Sequence, residues 1–270
     1  MLLRQLFNHP TFGYTYLLAD PNMRECVLID PVKGKVKDYV QLLNELGLFL
    51  VAAIEAQPHD DHTSALPMLR NLWDCESIAG GDRIDISRRI EDGDRIRIGR
   101  MVLEALHTPG HTKDSFCFLI ERPDKSALFT GDTLLVRNIG LSDQPTSSPR
   151  DHYLSLSRLL VQMDDETIIY PGRDFKGWPL STIREEKTYN PYLLVGSLNE
   201  FLELKSRQQP SDIRPVLDLS EEEASDELPT NVPGAPPGTA APDGEFYLPG
   251  ERGLRSVDNE NGDEKITSWR

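Results

Sequence analysis

Three short polar segments sit directly after apolar, strand-like runs: QPHDDH at 57–62, TPGHT at 108–112 and TGDT at 130–133. Taken singly each is weak, because a histidine after a strand is more often a satisfied or surface side chain than a ligand, and Thr-Gly-Asp makes a plausible turn. Taken together they are a strong signal. Imidazole and carboxylate groups are the donors that hold a transition metal, and here both kinds recur on separate loops of one chain.

The rest of the chain interleaves strands and helices. From Thr15 to Pro31, YLLA and CVLID flank the turn-rich DPNMRE and predict a β-hairpin. Val36, Val40, Leu43 and Leu46 then recur at helical spacing, and the run LFLVAAIEA follows as a strand. Ser64 is positioned to cap a helix through Leu66, Leu69 and Leu72. RIRIG, MVLEALHT, SFCFLIE and SALFTGD predict successive strands. Helical spacing returns over 151–163, ETIIYPG predicts a strand, and 181–206 is helical again with a possible break at Pro191. Such interleaving is that of sheets layered against helices.

Beyond about residue 208 the composition changes. SEEEASDELPTNVPGAPPGTAAPDGE is acidic, rich in Pro and Gly and poor in apolar residues, so it cannot offset the entropy of ordering. The expectation is one globular domain over 1–207 and a disordered acidic tail over 208–270, with the cluster EFYLPG as a minority candidate for partner binding. The formal net charge of −15 over 270 residues argues against nucleic acid or an anionic membrane as partner. No apolar run is long enough to span a bilayer, and nothing resembles a secretory signal, so a cytoplasmic location is expected. Cys26, Cys75 and Cys117 are odd in number and widely spaced, and are read as buried thiols.

The order H-x-D-H, PGH, GD resembles the metallo-β-lactamase superfamily, whose usual first segment is H-x-H-x-D-H. The resemblance implies an α/β fold, the metallo-β-lactamase αββα sandwich, with a metal cleft at one edge. A finer match lies in LLRQLF, LIDPV, FTGDTLLVR and YPGRDFKGWPLSTIREEKTYNP, which look like persulfide dioxygenases (sulfur dioxygenases) over about residues 2 to 205. These enzymes of hydrogen sulfide metabolism use one Fe(2+) per chain to oxidise glutathione persulfide with O2 to sulfite and glutathione. Related dioxygenases often form dimers, so a homodimer is among the implied partners. Carried over residue by residue, the iron ligands fall on Gln57, His111 and Asp132.

Three positions depart from the family. Gln57 replaces a histidine, and its neutral amide binds iron(II) less tightly than imidazole. His59 is available to restore the set, although Pro58 stiffens the loop. Arg173 and Phe175 stand where the family usually has a histidine and often a tyrosine. An arginine stays protonated and does not ligate. It can compensate charge instead, which predicts an ion pair from Arg173 to Asp61 or Asp132. Phe175 removes a phenol that could hydrogen-bond an iron-bound species.

Among the remaining positions, Asp61 and His62 are expected to orient the site. Asp174 matches a carboxylate near the metal loop, with a loop-capping role equally open. Arg137 either contacts a substrate carboxylate or forms a structural ion pair with an acid such as Asp143. His107 and His152 have no motif support and read as surface residues. Three functions follow: an iron-dependent persulfide dioxygenase, a catalytically impaired relative in which Arg173 replaces metal charge, or a glyoxalase II-like thioester hydrolase using Zn(2+).

Overall fold

The computed structural model describes residues 1–58 and 63–209. β1 (Leu2–Asn8), β2 (Gly13–Asp20) and β3 (Glu25–Ile29) form an antiparallel meander, followed by α1 (Val36–Leu46) and β4 (Phe49–Ile54), which pairs parallel to β3. α2 (Leu66–Trp73) leads to β5 (Glu76–Ala79) and β6 (Arg88–Arg89), completing a six-stranded sheet in the order β1 to β6. The second sheet comprises β7 (Arg95–Ile98), β8 (Met101–His107), β9 (Phe116–Ile120), β10 (Ala127–Gly131), β11 (Ile168–Pro171) and β12 (Ser181–Thr182) in consecutive order. α3 (Pro149–Gln162) crosses from β10 to β11, which pair parallel, and α4 (Ile183–Tyr189) and α5 (Leu198–Ser206) follow.

The period-2 geometry of strands explains the layering. In β2, Tyr16 and Leu18 enter the core between the sheets, whereas Leu17 and Ala19 point outward beneath α1 and α2. β3 divides in the same way, with Val27 and Ile29 inward and Cys26 and Leu28 outward. On the second sheet Phe118 and Phe129 face inward, and Cys117 and Leu128 meet Leu159 of α3. Both faces of each sheet are therefore covered, giving the αββα sandwich expected. The three cysteines are buried free thiols, and burial pushes Cys117 up to about 11.

Differences from expectation have local causes. β1 and β5 were not anticipated: β1 has no clean buried-exposed alternation, and β5 is a four-residue strand. Ser64 does not cap α2 in the expected way, because Ala65 is the N-cap and Ser64 Oγ accepts from Leu66 N at 3.1 Å. The helical stretch over 181–206 is two helices, and the division falls at Pro191 as expected. Asn190 is extended (φ −80°, ψ 115°), as the residue before Pro191 must be, and this ends α4.

Two buried polar groups tie the helices to the loop that follows β10. Arg137 pairs with Glu186 of α4, its backbone N–H donates to Glu186 Oε2 at 2.9 Å, and Nη1 donates to Ser181 Oγ at 3.0 Å. Asn190 Nδ2 donates to Asn138 O at 3.0 Å and to Glu186 Oε2 at 2.8 Å. The acid is therefore Glu186 and not Asp143, and it comes from the STIREEK segment. His152 of α3 is fully buried, which corrects its reading as a surface residue; its Nε2 donates to Thr133 O at 2.7 Å. Burial lowers its pKa from 6.5 to about 3 and Lys205 adds to the effect, so the ring stays neutral.

Two predictions follow from these groups. The unfolded chain binds a proton at His152 below pH 6.5 that the native state refuses, so this residue withdraws stability as pH falls, by about 2 kcal/mol at pH 5. In His152→Gln the slope of stability against pH between 6.5 and 4 is expected to flatten by roughly 1.4 kcal/mol per unit; urea titrations at several pH values check it, and an unchanged slope contradicts the burial. Glu186→Gln strips the buried partner from Arg137 and is expected to cost about 3 kcal/mol in denaturant unfolding. A cost below about 1 kcal/mol would show that the joint carries no such weight.

Candidate metal centre

The loops after β4, β8, β10 and β11 meet around Asp132. Gly131 makes this approach possible: it has φ +48°, and a Cβ there would lie 2.7 Å from Gln57 Oε1. Asp132 follows at once, 4% exposed, with its N–H donating to Gln57 Oε1 at 2.9 Å and its carbonyl accepting from Gly140 N at 2.8 Å. The residue is thus held through its backbone from two loops.

His111 lies across from it, 3% exposed. Its Nδ1 donates to Leu141 O at 2.8 Å, which in the neutral ring places the lone pair on Nε2. Nε2 faces Asp132 Oδ2 at 3.5 Å. Two donor atoms of the right kinds therefore face each other in a buried site. Sequence alone could not have named Leu141, because the orienting group is a backbone carbonyl that any residue carries.

Gln57 is buried, and the atom facing Asp132 N must be its amide oxygen, since an N–H only donates. That oxygen binds across the two loops rather than standing open. Arg173, 7% exposed, forms the predicted ion pair with Asp132: Nε donates to Oδ2 at 2.8 Å, and Nη1 donates to Thr11 O at 3.1 Å. A short antiparallel bridge between Gly13 and Arg173 fixes the same loop against the β1–β2 turn.

The neighbouring residues of that loop are committed to its shape. Asp174 Oδ1 accepts from Lys176 N at 2.9 Å and Trp178 N at 3.0 Å, while Oδ2 accepts from Tyr14 Oη at 3.2 Å. Burial, then Asp174, pushes the Tyr14 phenol up to about 12. Phe175 packs on Leu135 and Leu141, with its ring 5.6 Å from that of Phe12. Arg137 lies in the ion pair already described, and its guanidinium also stacks 5.0 Å from the Tyr189 ring. His107 Nε2 donates to Lys113 O at 2.9 Å, away from this centre. His59, Asp61 and His62 lie outside the described residues.

Among the described residues, no group of three or more His, Cys, Asp and Glu side chains is placed to hold a metal ion. A dinuclear centre does not fit, because the position that would serve its second ion carries a guanidinium. Among the described residues, His111 Nε2 and Asp132 Oδ2 are two atoms of metal-binding type that face each other here.

Residues 78–173 match the model of the metallo-beta-lactamase superfamily. The human protein named persulfide dioxygenase ETHE1, mitochondrial, is 39% identical over 208 residues, 76% of this chain and 80% of that one. A probable hydroxyacylglutathione hydrolase of Schizosaccharomyces pombe is 32% identical over 166 residues, covering 60% of this chain and 64% of that one. The crystal structure of ETHE1 from Myxococcus xanthus superposes with a TM-score of 0.73 at 35% identity, covering 79% of this chain and 94% of that one. With its sandwich, its strand-end loops and this likeness over three quarters of its length, the chain belongs to the persulfide dioxygenase family of the metallo-β-lactamase superfamily, a family of enzymes, and carries an altered metal-binding motif.

Proposed function

We propose that the protein oxidises glutathione persulfide with O2 to sulfite and glutathione, using one iron held by His111, Asp132 and either His59 or Gln57. The observation that carries this reading is the buried pair of donors, His111 Nε2 and Asp132 Oδ2, facing each other at 3.5 Å. When bound, the iron supplies open coordination positions that bring O2 and the persulfide together. The chain's own residues do the rest. Leu141 O keeps the His111 lone pair turned inward, and Gln57 holds the backbone of Asp132. Phe175, with Leu135 and Leu141, supplies an apolar wall. Asp174 acts through the loop it caps, and Arg137 positions the β10 loop rather than meeting the substrate. Asp61 and His62 are assigned the orientation of the first loop. The buried reduced cysteines support a cytoplasmic setting. Among the described residues no helix is long and apolar enough to cross a membrane.

A second reading is favoured by one specific contact. Arg173 already places a permanent cation on Asp132 Oδ2, so an iron there meets a competing charge. On this reading the protein keeps the cleft of its family, and Arg173 replaces the charge of a lost ion.

Metal analysis of full-length protein from iron-supplemented cells, together with O2 consumption on glutathione persulfide, separates the two. Near-stoichiometric iron with turnover is expected; neither iron nor turnover would establish the second reading, and zinc with thioester hydrolysis a glyoxalase II-like one. The Gln57→His, Arg173→His double variant restores both family imidazoles and removes the competing cation. It is expected to retain at least tenfold more iron after dialysis against a mild chelator than the parent does. Equal retention would mean that these two residues do not govern the metal position.

A further inference from the structure

The segment 138–141 has the site on one side and α5 on the other. On the site side, Gly140 N donates to Asp132 O at 2.8 Å, and Leu141 O accepts from His111 Nδ1 at 2.8 Å. There is no slack: a Cβ on Gly140 would lie 2.3 Å from Asp132 O and 2.9 Å from His111 Nδ1. On the far side, Lys205 of α5 is 5% exposed and donates its Nζ to Gly140 O and, at 2.6 Å, to Gln208 Oε1. Gln208 Nε2 in turn donates to Ile139 O at 2.9 Å and Asn138 Oδ1 at 3.1 Å. Two side chains from the end of α5 thus hold three consecutive residues of the strip against which His111 is oriented.

We propose that Lys205 and Gln208 are positioning residues that set the tautomer of His111 through the strip 138–141. Burying a lysine costs free energy, and here desolvation lowers its pKa to about 7 against the opposing pull of Asp143. Packing alone would be served by leucine or methionine at this point of α5. A lysine instead supplies donors to a carbonyl that turns away from the site, while the next carbonyl, of Leu141, turns toward it. Alternation of successive carbonyls makes the two coupled: releasing Gly140 O frees the peptide planes on either side of it to rotate. The inference concerns the metal-free protein, in which no ion on Nε2 fixes the tautomer, and it stands independently of the proposed reaction.

The test exploits two buried rings of opposite tautomer. His111 donates from Nδ1 to Leu141 O, and His152 donates from Nε2 to Thr133 O. Long-range proton–nitrogen spectra of the full-length, histidine-labelled protein, dialysed free of metal at pH 7.5, report both. In Lys205→Met and in Gln208→Ala, His111 is expected to lose its single Nδ1–H pattern and show a mixture of tautomers, while His152 keeps its own. Gln208 is only partly buried, so its variant gives a result even if Lys205→Met does not fold. An unchanged Nδ1–H pattern for His111 in Gln208→Ala would overturn the proposal. So would loss of both rings' patterns together, which marks general loosening rather than positioning.

Discussion

A carboxylate removed from water requires positive charge or donated hydrogen bonds close by, and the cost of leaving it without them is several kcal/mol. Asp132 sits under that constraint at the meeting point of four loops. Its carboxylate receives Arg173, its N–H is taken by Gln57 and its carbonyl by Gly140. Arg173 follows β11, Gln57 follows β4 of the other sheet and Gly140 lies further along the loop of Asp132 itself, so these contacts join both sheets at this edge. The bridge between Gly13 and Arg173 and the bond from Tyr14 N to Gly172 O at 2.8 Å extend the fastening to the β1–β2 turn.

The sandwich makes this convergence possible without help from the site. Its apolar strands bury both faces, inward residues against the opposite sheet and outward residues against helices, and their ends are left free to carry polar loops. The loop after β10 shows how such polarity is supported: Arg137, Glu186, Asn190 and Ser181 satisfy one another beneath it. A charge-assisted network of this kind has a definite geometry that an apolar plug would lack, which suits a loop whose neighbours must be placed to within a fraction of an ångström.

Much of this was legible in the sequence because it depends on side-chain type and period. Short apolar runs marked β2, β3 and β8 to β11, and helical spacing marked α1 and α3. The Arg173–Asp132 pair followed from asking what a permanently charged residue does in a metal position. Other features left no such trace. For Arg137 the sequence left a substrate contact or an ion pair with a nearby acid such as Asp143 open, whereas the fold brings in Glu186 from 49 residues away. His152 read as a surface residue because its burial depends on how α3 packs, not on its neighbours along the chain. The orienting groups of the site are the carbonyls of Leu141 and Thr11, and a backbone group has no signature in a sequence.

Two of the departures from the family motif, Gln57 and Arg173, are chemically complementary. A histidine pair holding divalent ions contributes no charge of its own; the ions do. Replacing one imidazole by an amide keeps a neutral hydrogen-bonding group, and Gln57 uses it to hold the backbone of Asp132. Replacing the other by a guanidinium adds the positive charge that a carboxylate in this position needs, and delivers it through a directed N–H at 2.8 Å. Either change alone leaves a defect: the amide without the arginine leaves Asp132 short of a cation when no ion is bound, and the arginine beside an intact metal set opposes the ion electrostatically. Together they give a site whose carboxylate is compensated with or without a metal.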